Sequence, residues 1–548
     1  MSEVSIDKIH FNRDEILNLK YKSYNNFPLI YILHHQGKRT AYIGESFQIR
    51  NRLNTHLRDD LKKRLKEVLL ISHEKFHQSA TYNIETNLIN YFIADQKYQL
   101  LNKSQITQSV THNYYNKSEY HHNIFNDIWE KLKNDELVDN TLEHLQNKDI
   151  FKLSPYKELS ESQVELKGRI IEFCKTNING ENKAVFFIHG EAGTGKSVVL
   201  SSTFNAIQDL SKEEDSEFKG TENHLLVNHQ EMIKTYESIS KSLPNLKKKN
   251  FMKPTPFINA VEKGKIKSDI TLVDEAHLLL SRPDKFNAYN GENQLQDIIN
   301  LSKVTIVVFD EKQFLKLKSF WSQNLLEEAG SSHHVERYQL TDQFRIQAEQ
   351  PVIEWIDQFV DKKVCPVPVT EGDYELKIFN HAGAMFEEIA KKDKEHQLSR
   401  VVATFDYEHK KDGGSYYVEE PGFKGLWNRT TYKETWAEHP DTIKEVGSIY
   451  TIQGFDLNYV GVILGPSVSY DEDKKQLKIL TEKYQDKEAF RESRTLKAEY
   501  HTGKGKEQII LNSINVLMKR GVKGLYIYAS DKKLRKVLND NYFGDEQL

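Results

Sequence analysis

The segment AVFFIHGEAGTGKSVVL, residues 184–200, joins an apolar run to a glycine-rich turn and then to a second apolar run. The turn has the G-x-x-x-x-G-K-S spacing of a phosphate-binding loop between a predicted strand and a predicted helix. Its glycines let backbone N–H groups face phosphates, its lysine supplies positive charge, and its serine can ligate Mg²⁺. We therefore predict that ATP and Mg²⁺ are bound by Gly190, Glu191, Ala192, Gly193, Thr194, Gly195, Lys196 and Ser197.

A second apolar run ends in two carboxylates about 80 residues downstream, in ITLVDEAH at 270–277. Asp274 is expected to hold Mg²⁺ through water, and Glu275 to orient or deprotonate the attacking water. Two carboxylates after a strand are by themselves more typical of a solvated loop. Their position downstream of the phosphate-binding loop favours the catalytic interpretation.

Short runs rich in Val and Ile recur through the rest of the chain, separated by stretches with helical periodicity. This pattern predicts buried parallel strands of an α/β fold, in which ligands bind at the carboxyl ends of the strands. We expect two sheets that divide near residues 331–338. The predicted strands are 185–188, 225–227, 270–273, 304–309, 400–403, 460–464 and 525–528.

Composition points to a globular, multi-domain chain of 548 residues, with 38% hydrophobic and 28% charged residues. The chain shows neither an apolar run long enough to span a membrane nor a signal-peptide pattern at its start, so we expect a cytoplasmic protein without membrane contact. Cys174 and Cys365 cannot build a disulfide framework. Because the net charge is −4, phosphate contacts must come from local basic runs. Two such runs are Lys62, Lys63, Arg64, Lys66 and Lys247, Lys248, Lys249, although each is also compatible with a solvated face.

Further motifs follow the carboxylates in a fixed order. They are Asp310 with Gln313, then LTDQFR at 340–345, YTIQGFD at 450–456 and NVLMKR at 515–520. Together with the phosphate-binding loop they resemble superfamily 1 helicases. The closest resemblance is to the Schlafen-group helicase-like domain, which also favours the patterns VNH at 227–229 and WN at 427–428.

This resemblance implies roles for five more residues. Arg345 and Arg520 would neutralise charge on the γ-phosphate when the second lobe closes. Gln313 would sense that phosphate, Gly454 would belong to the nucleotide-coupled motif of the second lobe, and Gln163 would read the adenine. A solvent-facing position on a helix is an equally good interpretation of Gln163.

Two departures from the family pattern concern the second lobe. Met518-Lys519 stands where many relatives carry Leu-Thr, and Asp456 stands where Glu is common. These departures leave ATP hydrolysis as the expectation and processive unwinding as an open question.

The N-terminal region carries a second set of spaced residues. Ile30-Tyr31 precedes Tyr42-Ile43-Gly44 on two short apolar strands; Arg52 and His56 follow within a helical periodicity that continues to Leu65. Glu85 begins a further predicted helix. This spacing resembles a GIY-YIG endonuclease domain over about residues 24–106, with Asn102 near its end.

The resemblance implies phosphodiester cleavage with one metal ion. Glu85 would bind Mg²⁺ or Mn²⁺, Arg52 would hold the scissile phosphate, and Tyr31 with Tyr42 would position or deprotonate the water. His56 would assist. Leu29 stands where the first motif usually has Gly, from which we expect a change of packing rather than of chemistry.

The expected organisation is a small α/β nuclease domain at 1–106, a polar connector at 107–157 with a helical passage at 124–145, and two RecA-like lobes at 158–332 and 333–548. The leading hypothesis is an ATP-dependent motor that delivers nucleic acid, DNA ahead of RNA, to the nuclease. Analogy with such fusions implies bacterial defence against phage, with a second copy or a defence-system protein as a further partner. The alternative is a nucleotide-gated sensor that binds nucleic acid through an inactive nuclease fold.

Overall fold

The computed structural model describes residues 3–19, 25–102, 114–190, 194–281, 283–284, 288–310, 333–340, 350–370, 372–410, 412–429, 432, 436–452, 455–490 and 503–542. The chain falls into two compact units. The first comprises Met1–Phe186, Ser197–Asp274 and Leu301–Ile306; the second comprises Phe187–Lys196, Glu275–Asn300 and Val307–Leu548. Within the described ranges, no helix combines the length and the apolar composition that a bilayer span requires.

The N-terminal region is a five-stranded sheet with helices packed against it. Its order is β1-β4-β2-β3-β5; the pairs are antiparallel except for β3 with β5. The strands are β1 Ser5–His10, β2 Asn25–His35, β3 Thr40–Gln48, β4 Glu67–Ser72 and β5 Gln99–Leu100, and the helices are α1 Arg13–Asn18, α2 Ile49–His56 and α3 Gln78–Asp95.

Helix α2 is shorter than the apolar periodicity predicts. It ends at His56, and the chain continues through a turn into a short 3₁₀ helix at Lys62–Arg64. Asp59 explains the break, because its Oδ1 accepts from the backbone nitrogens of Leu61 and Lys62, both at 2.9 Å. Such local side-chain bonds compete with helical ones.

The segment between the N-terminal sheet and the phosphate-binding loop is helical where it is described. It contains α4 Lys117–Glu119, a π-helical turn at Tyr120–Ile124, α5 Phe125–Asn134, α6 Leu142–Asn147 and α7 Asp149–Lys152. Tyr91 of α3 contacts the rings of Phe125, Trp129 and Phe151, with centroids 4.6 to 5.4 Å apart. The segment expected to be a loose polar connector therefore packs on α3 within the first unit.

The phosphate-binding loop follows a strand of a six-stranded sheet in the order β11-β6-β10-β9-β7-β8. Strand β11 takes the edge position of this six-stranded sheet, beside β6. The sheet of the first predicted lobe therefore includes residues up to Leu340, beyond the lobe boundary expected at 332. The strands are β6 Ala184–Gly190, β7 Asn223–Val227, β8 Phe251–Met252, β9 Ile270–Asp274, β10 Val304–Phe309 and β11 His334–Leu340. The helices are α8 Glu161–Ile178, α9 Lys196–Leu210, α10 Gln230–Ser242, α11 Pro254–Glu262 and α12 Gln294–Leu301.

The C-terminal half contains a seven-stranded sheet in the order β12-β20-β17-β13-β16-β15-β14, parallel except for the pair β14·β15. Its strands are β12 Glu375–Phe379, β13 Arg400–Ala403, β14 Tyr417–Glu420, β15 Phe423–Trp427, β16 Glu445–Gly447, β17 Leu457–Leu464 and β20 Gly521–Ala529. A separate hairpin is formed by β18 Val468–Asp471 and β19 Gln476–Ile479. The helices are α13 Gln350–Val360, α14 Ala382–His396, α15 Ile449–Ile452, α16 Gly503–Met518 and α17 Lys532–Asp540.

All seven strands that the apolar runs predict are present, within β6, β7, β9, β10, β13, β17 and β20. Their side chains are almost all buried, as expected for parallel strands that are covered by helices on both faces. The predicted α/β class with parallel sheets is therefore confirmed.

Candidate functional site

The described end of the phosphate-binding loop lies in the second unit and is tightly packed. A Cβ atom at Gly190 would come within 2.9 Å of Thr194 Oγ1 and 3.0 Å of the Leu340 carbonyl oxygen, so only glycine fits there. Lys196 Nζ donates to the Gly190 carbonyl at 2.7 Å and lies 3.4 Å from Asp310 Oδ2. The lysine is thus held by one carbonyl oxygen and one carboxylate, acceptors that the oxygens of an anionic phosphate can replace.

The Mg²⁺ ligands expected from the sequence meet in the first unit. Ser197 Oγ donates to Asp274 Oδ1 at 3.1 Å, and the Tyr236 hydroxyl donates to Asp274 Oδ2 at 2.9 Å. Asp274 is fully buried at the end of β9. Two adjacent hard oxygen ligands suit Mg²⁺, which takes few protein ligands and keeps several waters.

Glu275 and His277 continue this motif in the second unit. Glu275 has φ of +50°, a left-handed conformation that costs a non-glycine residue about 1 kcal/mol and is common at functional sites. His277 Nε2 lies 3.2 Å from Glu275 Oε2. Burial lowers the pKa of His277; Glu275 and Asp310 oppose this effect, whereas Lys196 and Arg520 add to it. The charges that act on this neutral imidazole therefore include both the loop lysine and the predicted catalytic arginine.

Arg520 is completely buried at the end of the segment that follows α16. Its Nη1 donates to the Phe455 carbonyl at 3.1 Å and lies 4.0 Å from Asp456 Oδ1. The neighbouring Lys519 pairs with Asp357 of α13 at 2.6 Å. Both departures from the family pattern, Asp456 and Lys519, are thus engaged in charge pairs beside the arginine.

The remaining predicted ATP-site residues divide into two groups. Gln163 lies in the first turn of α8, where its Oε1 accepts from the Ser160 nitrogen at 3.0 Å and closes a capping box. It is buried rather than solvent-facing. The residues that lie outside the described ranges are Glu191, Ala192, Gly193, Gln313, Arg345 and Gly454.

In the N-terminal sheet, the predicted nuclease residues come together although they are far apart in sequence. Tyr31 of β2 and His56 of α2 are joined by a hydrogen bond of 2.8 Å between Oη and Nε2. Arg52 Nε donates to the Tyr31 hydroxyl at 3.2 Å, and the Tyr42 ring lies 4.9 Å from the His56 ring. Since arginine only donates, the Tyr31 hydroxyl accepts from Arg52. Which of Tyr31 Oη and His56 Nε2 donates in the bond between them depends on the tautomer of His56.

Gly44 and Asn102 help to hold strand β3 and the Tyr31 side chain in position. A Cβ at Gly44 would overlap the Tyr31 hydroxyl, so the glycine makes room for that side chain. Asn102 accepts from the Ile43 nitrogen at 3.1 Å and donates to the Ile43 carbonyl at 2.7 Å. It thereby fixes β3 beside the tyrosines. Leu29 is fully buried in the core of this region, as a packing role requires.

Burial controls the ionisation of this centre. It raises the pKa of Glu85 to about 8; Glu45 adds to the increase and Arg52 opposes it. Burial also lowers the pKa of His56 to about 3, with Lys62 and Arg52 contributing. Both groups are therefore neutral near pH 7 in this conformation.

A metal ion at the nuclease centre would have one strong protein ligand. Glu85 provides a carboxylate that faces the Arg52 charge, whereas no group of three or more His, Cys, Asp or Glu side chains suited to a metal occurs among the described residues. The centre fits one Mg²⁺ or Mn²⁺ held by a single carboxylate and waters, and it does not fit an all-protein cage.

Residues 183–531 match the sequence model described as Schlafen group 3, DNA/RNA helicase domain. The chain belongs to this Schlafen group 3 helicase family. It is also 41% identical over 413 residues to the uncharacterized protein YPL245W of Saccharomyces cerevisiae, a match that covers 69% of this chain and 90% of the yeast protein. The helicase part of the sequence-based resemblance is therefore confirmed.

Two solved helicase-type structures match weakly. Mss116p bound to ssRNA and AMP-PNP is 12% identical, with 75% of this chain and 76% of that chain covered and a TM-score of 0.35. The Pif1 helicase from Candida albicans is 12% identical, with 70% and 99% covered and a TM-score of 0.28. With TM-scores this low, neither likeness adds to the assignment to the Schlafen group 3 family.

Three residues beside the Schlafen group 3 motifs and the nuclease centre were not predicted as site residues. Tyr236 donates to Asp274 from α10, His277 Nε2 lies 3.2 Å from Glu275 Oε2, and Glu45 acts on the pKa of Glu85. His277 is the last residue of the segment 270–277 and Glu45 directly follows Gly44, so their position in or beside these motifs is the signal that could have found them. Tyr236 has no such signal, because only the tertiary packing of α10 brings it to β9.

Proposed function

We propose that the chain is an ATP-dependent nucleic-acid-processing enzyme that joins a helicase-type motor to a metal-dependent endonuclease. The observation that carries the motor half is the pairing of side chains around the phosphate-binding loop, where Lys196 Nζ lies 3.4 Å from Asp310 Oδ2 and the buried His277 lies 3.2 Å from Glu275. Within a chain of this family, such an arrangement supports hydrolysis of a nucleoside triphosphate. The proposed cofactors are ATP and Mg²⁺, with Mn²⁺ as the alternative at the nuclease centre.

In the motor, each side chain has one task. Lys196 exchanges the Gly190 carbonyl for the β- and γ-phosphates, and Glu275 orients the attacking water. Arg520 stabilises negative charge as the γ-phosphate leaves, provided that its bond to Phe455 is exchanged for the phosphate. Mg²⁺, held by Ser197 and Asp274, would supply charge neutralisation at the phosphates.

In the nuclease centre, the proton path follows from the hydrogen bonds. In the His56 tautomer whose Nε2 accepts from Tyr31, the tyrosine oxygen can take a proton from water while its own proton passes to the imidazole. Arg52 would bind the scissile phosphate, with Tyr42 packed beside the histidine. A metal ion on Glu85 would stabilise the leaving oxygen. Lys62, 3.9 Å from the centre of the Tyr42 ring, lies where it can contact the phosphate backbone.

The proposed substrate is nucleic acid, DNA ahead of RNA, in keeping with defence against foreign DNA as the biological role. A second copy or a defence-system protein is the proposed further partner. Most phosphate contacts are assigned to the motor, because the small nuclease region has little surface for a long polymer.

One observation favours a second function. Glu85 is nine-tenths buried, and its carboxyl group is neutral near pH 7. A nuclease fold that stays in this state would bind nucleic acid without cutting it. The chain would then be a nucleotide-gated sensor.

The motor is tested by ATP hydrolysis in the presence of single-stranded, duplex and forked DNA and RNA. Lys196→Ala is expected to abolish turnover, and Glu275→Gln to keep ATP binding while blocking turnover. Lys219→Ala, at an exposed position, serves as the control. Hydrolysis close to wild type in both site variants would refute the motor assignment.

The nuclease is tested by nicking of the same substrates with Mg²⁺ or Mn²⁺. Glu85→Ala is expected to abolish nicking, and Glu74→Ala, an exposed carboxylate in the same region, to leave it unchanged. Nicking that survives Glu85→Ala rejects the assignment of this centre. Metal-dependent binding without any nicking by the wild type would instead support the sensor.

A further inference from the structure

Helix α10 touches the Mg²⁺ ligand of the ATP site with one side chain. The Tyr236 hydroxyl, on a completely buried ring, donates to Asp274 Oδ2 at 2.9 Å. That ring is stacked on Phe251 of β8 with an interplanar angle of 2° and a centroid distance of 5.4 Å. Because the Tyr236 ring is buried and stacked on Phe251, it has little room to rotate. A displacement of Asp274 is therefore expected to move helix α10.

The C-terminal end of the same helix is bonded to α3, the helix that carries Glu85. Ser242 Oγ donates to the Ile93 carbonyl at 3.3 Å, and Gln96 Nε2 donates to the Ser238 carbonyl at 3.4 Å. Ser242 is buried. At 1.5 Å per residue, Tyr236 lies about 9 Å from Ser242 along α10, and Glu85 about 12 Å from Ile93 along α3. Two short rigid helices therefore connect Asp274 with Glu85 inside the first unit.

A second contact joins the same two regions. Tyr156 is fully buried, and its pKa is raised by burial and then by Asp209, Glu85 and Tyr42. Asp209 and Asn205, which also acts on the Tyr156 hydroxyl, belong to α9, the helix that begins at Lys196. Tyr156 thus lies within electrostatic reach of both the nuclease centre and the helix of the phosphate-binding loop.

We infer that α10 couples the ATP site to the nuclease centre, with Tyr236 as the positioning residue for Asp274 and Ser242 as the contact that passes a shift of α10 to α3. This inference rests on the proposed function for the identity of both sites. Both oxygens of Asp274 accept protein hydrogen bonds, from Ser197 and Tyr236. When Asp274 turns an oxygen towards Mg²⁺, the bond from Tyr236 weakens, α10 shifts, and α3 changes the setting of Glu85.

Coupling of this kind is reciprocal. The free energy by which bound nucleotide shifts the equilibrium of α3 must equal the free energy by which that shift of α3 changes the affinity for nucleotide. The expected coupling is about five- to 150-fold, the range typical of linked sites. It also gives ATP a role in cleavage that does not require its hydrolysis.

The experiment is amide hydrogen exchange on the full chain with Mg²⁺, in the presence and absence of a non-hydrolysable ATP analogue. In the wild type, exchange of residues 86–95 is expected to change about fivefold or more when the analogue binds. Ser242→Ala should abolish this change in exchange. The affinity for the analogue should change by less than the expected coupling of about five- to 150-fold, and basal ATP hydrolysis should stay unchanged. Ser240→Ala is the matched control, because Ser240 Oγ bonds to Glu237 of its own helix at 2.7 Å.

A second variant avoids the core. Gln96 is exposed at the end of α3 with φ of +61°, a conformation that asparagine tolerates, so Gln96→Asn shortens the contact without straining the backbone. It is expected to reduce the response. The inference is overturned if exchange of 86–95 in the wild type ignores the analogue, or if Ser242→Ala and Gln96→Asn respond like the wild type. The nicking assay with Glu85→Ala tests the nuclease assignment, and hydrogen exchange tests the coupling. The two hypotheses can therefore fail independently of each other.

Discussion

Charged side chains in the proposed ATP site face partners of opposite charge, whereas Glu85 and His56 of the proposed nuclease centre are buried and neutral near pH 7. Lys196 faces Asp310, and Arg520 faces Asp456. In the nuclease centre, burial raises the pKa of Glu85 to about 8 and lowers that of His56 to about 3. One site keeps its charges by pairing them, and the other suppresses them by desolvation.

The difference has a functional meaning. Paired charges can exchange a protein partner for a phosphate at little cost, so the ATP site is ready for its ligand. A desolvated carboxyl group must first gain a metal ion, a phosphate-bound arginine or solvent before it ionises. The proposed nuclease centre is thus expected to need a change of protonation before it can act, which the paired charges of the proposed ATP site do not need.

The largest effect on activity is expected at Arg520 in the proposed ATP site. Arg520→Lys keeps the positive charge but loses the planar guanidinium group, so kcat for ATP should fall about a thousandfold while ATP affinity changes only a few-fold. Steady-state kinetics with direct binding of an ATP analogue measures both quantities. Equal losses of turnover and affinity would mean that Arg520 only shapes the pocket. The exposed Arg169→Lys is the control.

The second effect concerns the geometry of the nuclease centre. In Gly44→Ala the new methyl group collides with the Tyr31 hydroxyl and displaces it from His56 and Arg52. Nicking should fall about a hundredfold, while ATP hydrolysis is unchanged. Gly37→Ala, whose Cβ would meet nothing closer than 3.6 Å, should retain nicking. Unimpaired nicking by Gly44→Ala would show that cleavage does not use this arrangement.

The third prediction tests suppression of charge by burial. The folded-state pKa of Glu85 is raised, so the folded chain binds more protons than the unfolded chain between about pH 4.5 and 8, and its stability falls as pH rises through that window. Glu85→Gln removes this loss. Its stability gain over the wild type should grow from near zero at pH 4.5 to about 4 kcal/mol at pH 8.

Denaturant unfolding at several pH values measures this gain, with the exposed Glu74→Gln as the control. A gain that does not depend on pH would show that Glu85 is charged in the folded chain. The contrast between the two sites would then be lost.

The smallest effect is expected at a buried cation next to the helix of the phosphate-binding loop. Burial lowers the pKa of Lys167 to about 8, and its Nζ lies 3.0 Å from Ser202 Oγ of α9. The unfolded chain therefore binds more protons between about pH 8 and 10.5, and stability rises with pH through that window. Lys167→Met should stabilise the chain by about 1 kcal/mol at pH 7.

The gain from Lys167→Met should shrink as pH rises from 8 and disappear above pH 10.5, where the lysine is neutral in both the folded and the unfolded chain. Unfolding curves at pH 7 and pH 10 measure it, and Lys175→Met on the same helix serves as the control. Destabilisation at pH 7 would show that the Lys167 charge is compensated in the folded chain.

The sequence by itself determined the features that are encoded within one turn or one strand. The spacing of Gly190, Lys196 and Ser197 is local, and the parallel strands are continuous apolar runs, so both could be found without knowledge of packing. The resemblance to a nuclease family singled out Tyr31, Arg52 and His56 by their spacing, and the structure brings these three side chains together, while their nuclease role stays a proposal.

Only the tertiary structure decided what depends on residues that are distant in the chain. The placement of β11 beside β6, the packing of α5 and α7 on α3, and the bond from Tyr236 to Asp274 all follow from which surfaces the chain buries together. The neutrality of Glu85 and His56 has the same origin. A pKa depends on solvent access and on the charges around the group, and neither is written in the spacing of the residues that carry the motif.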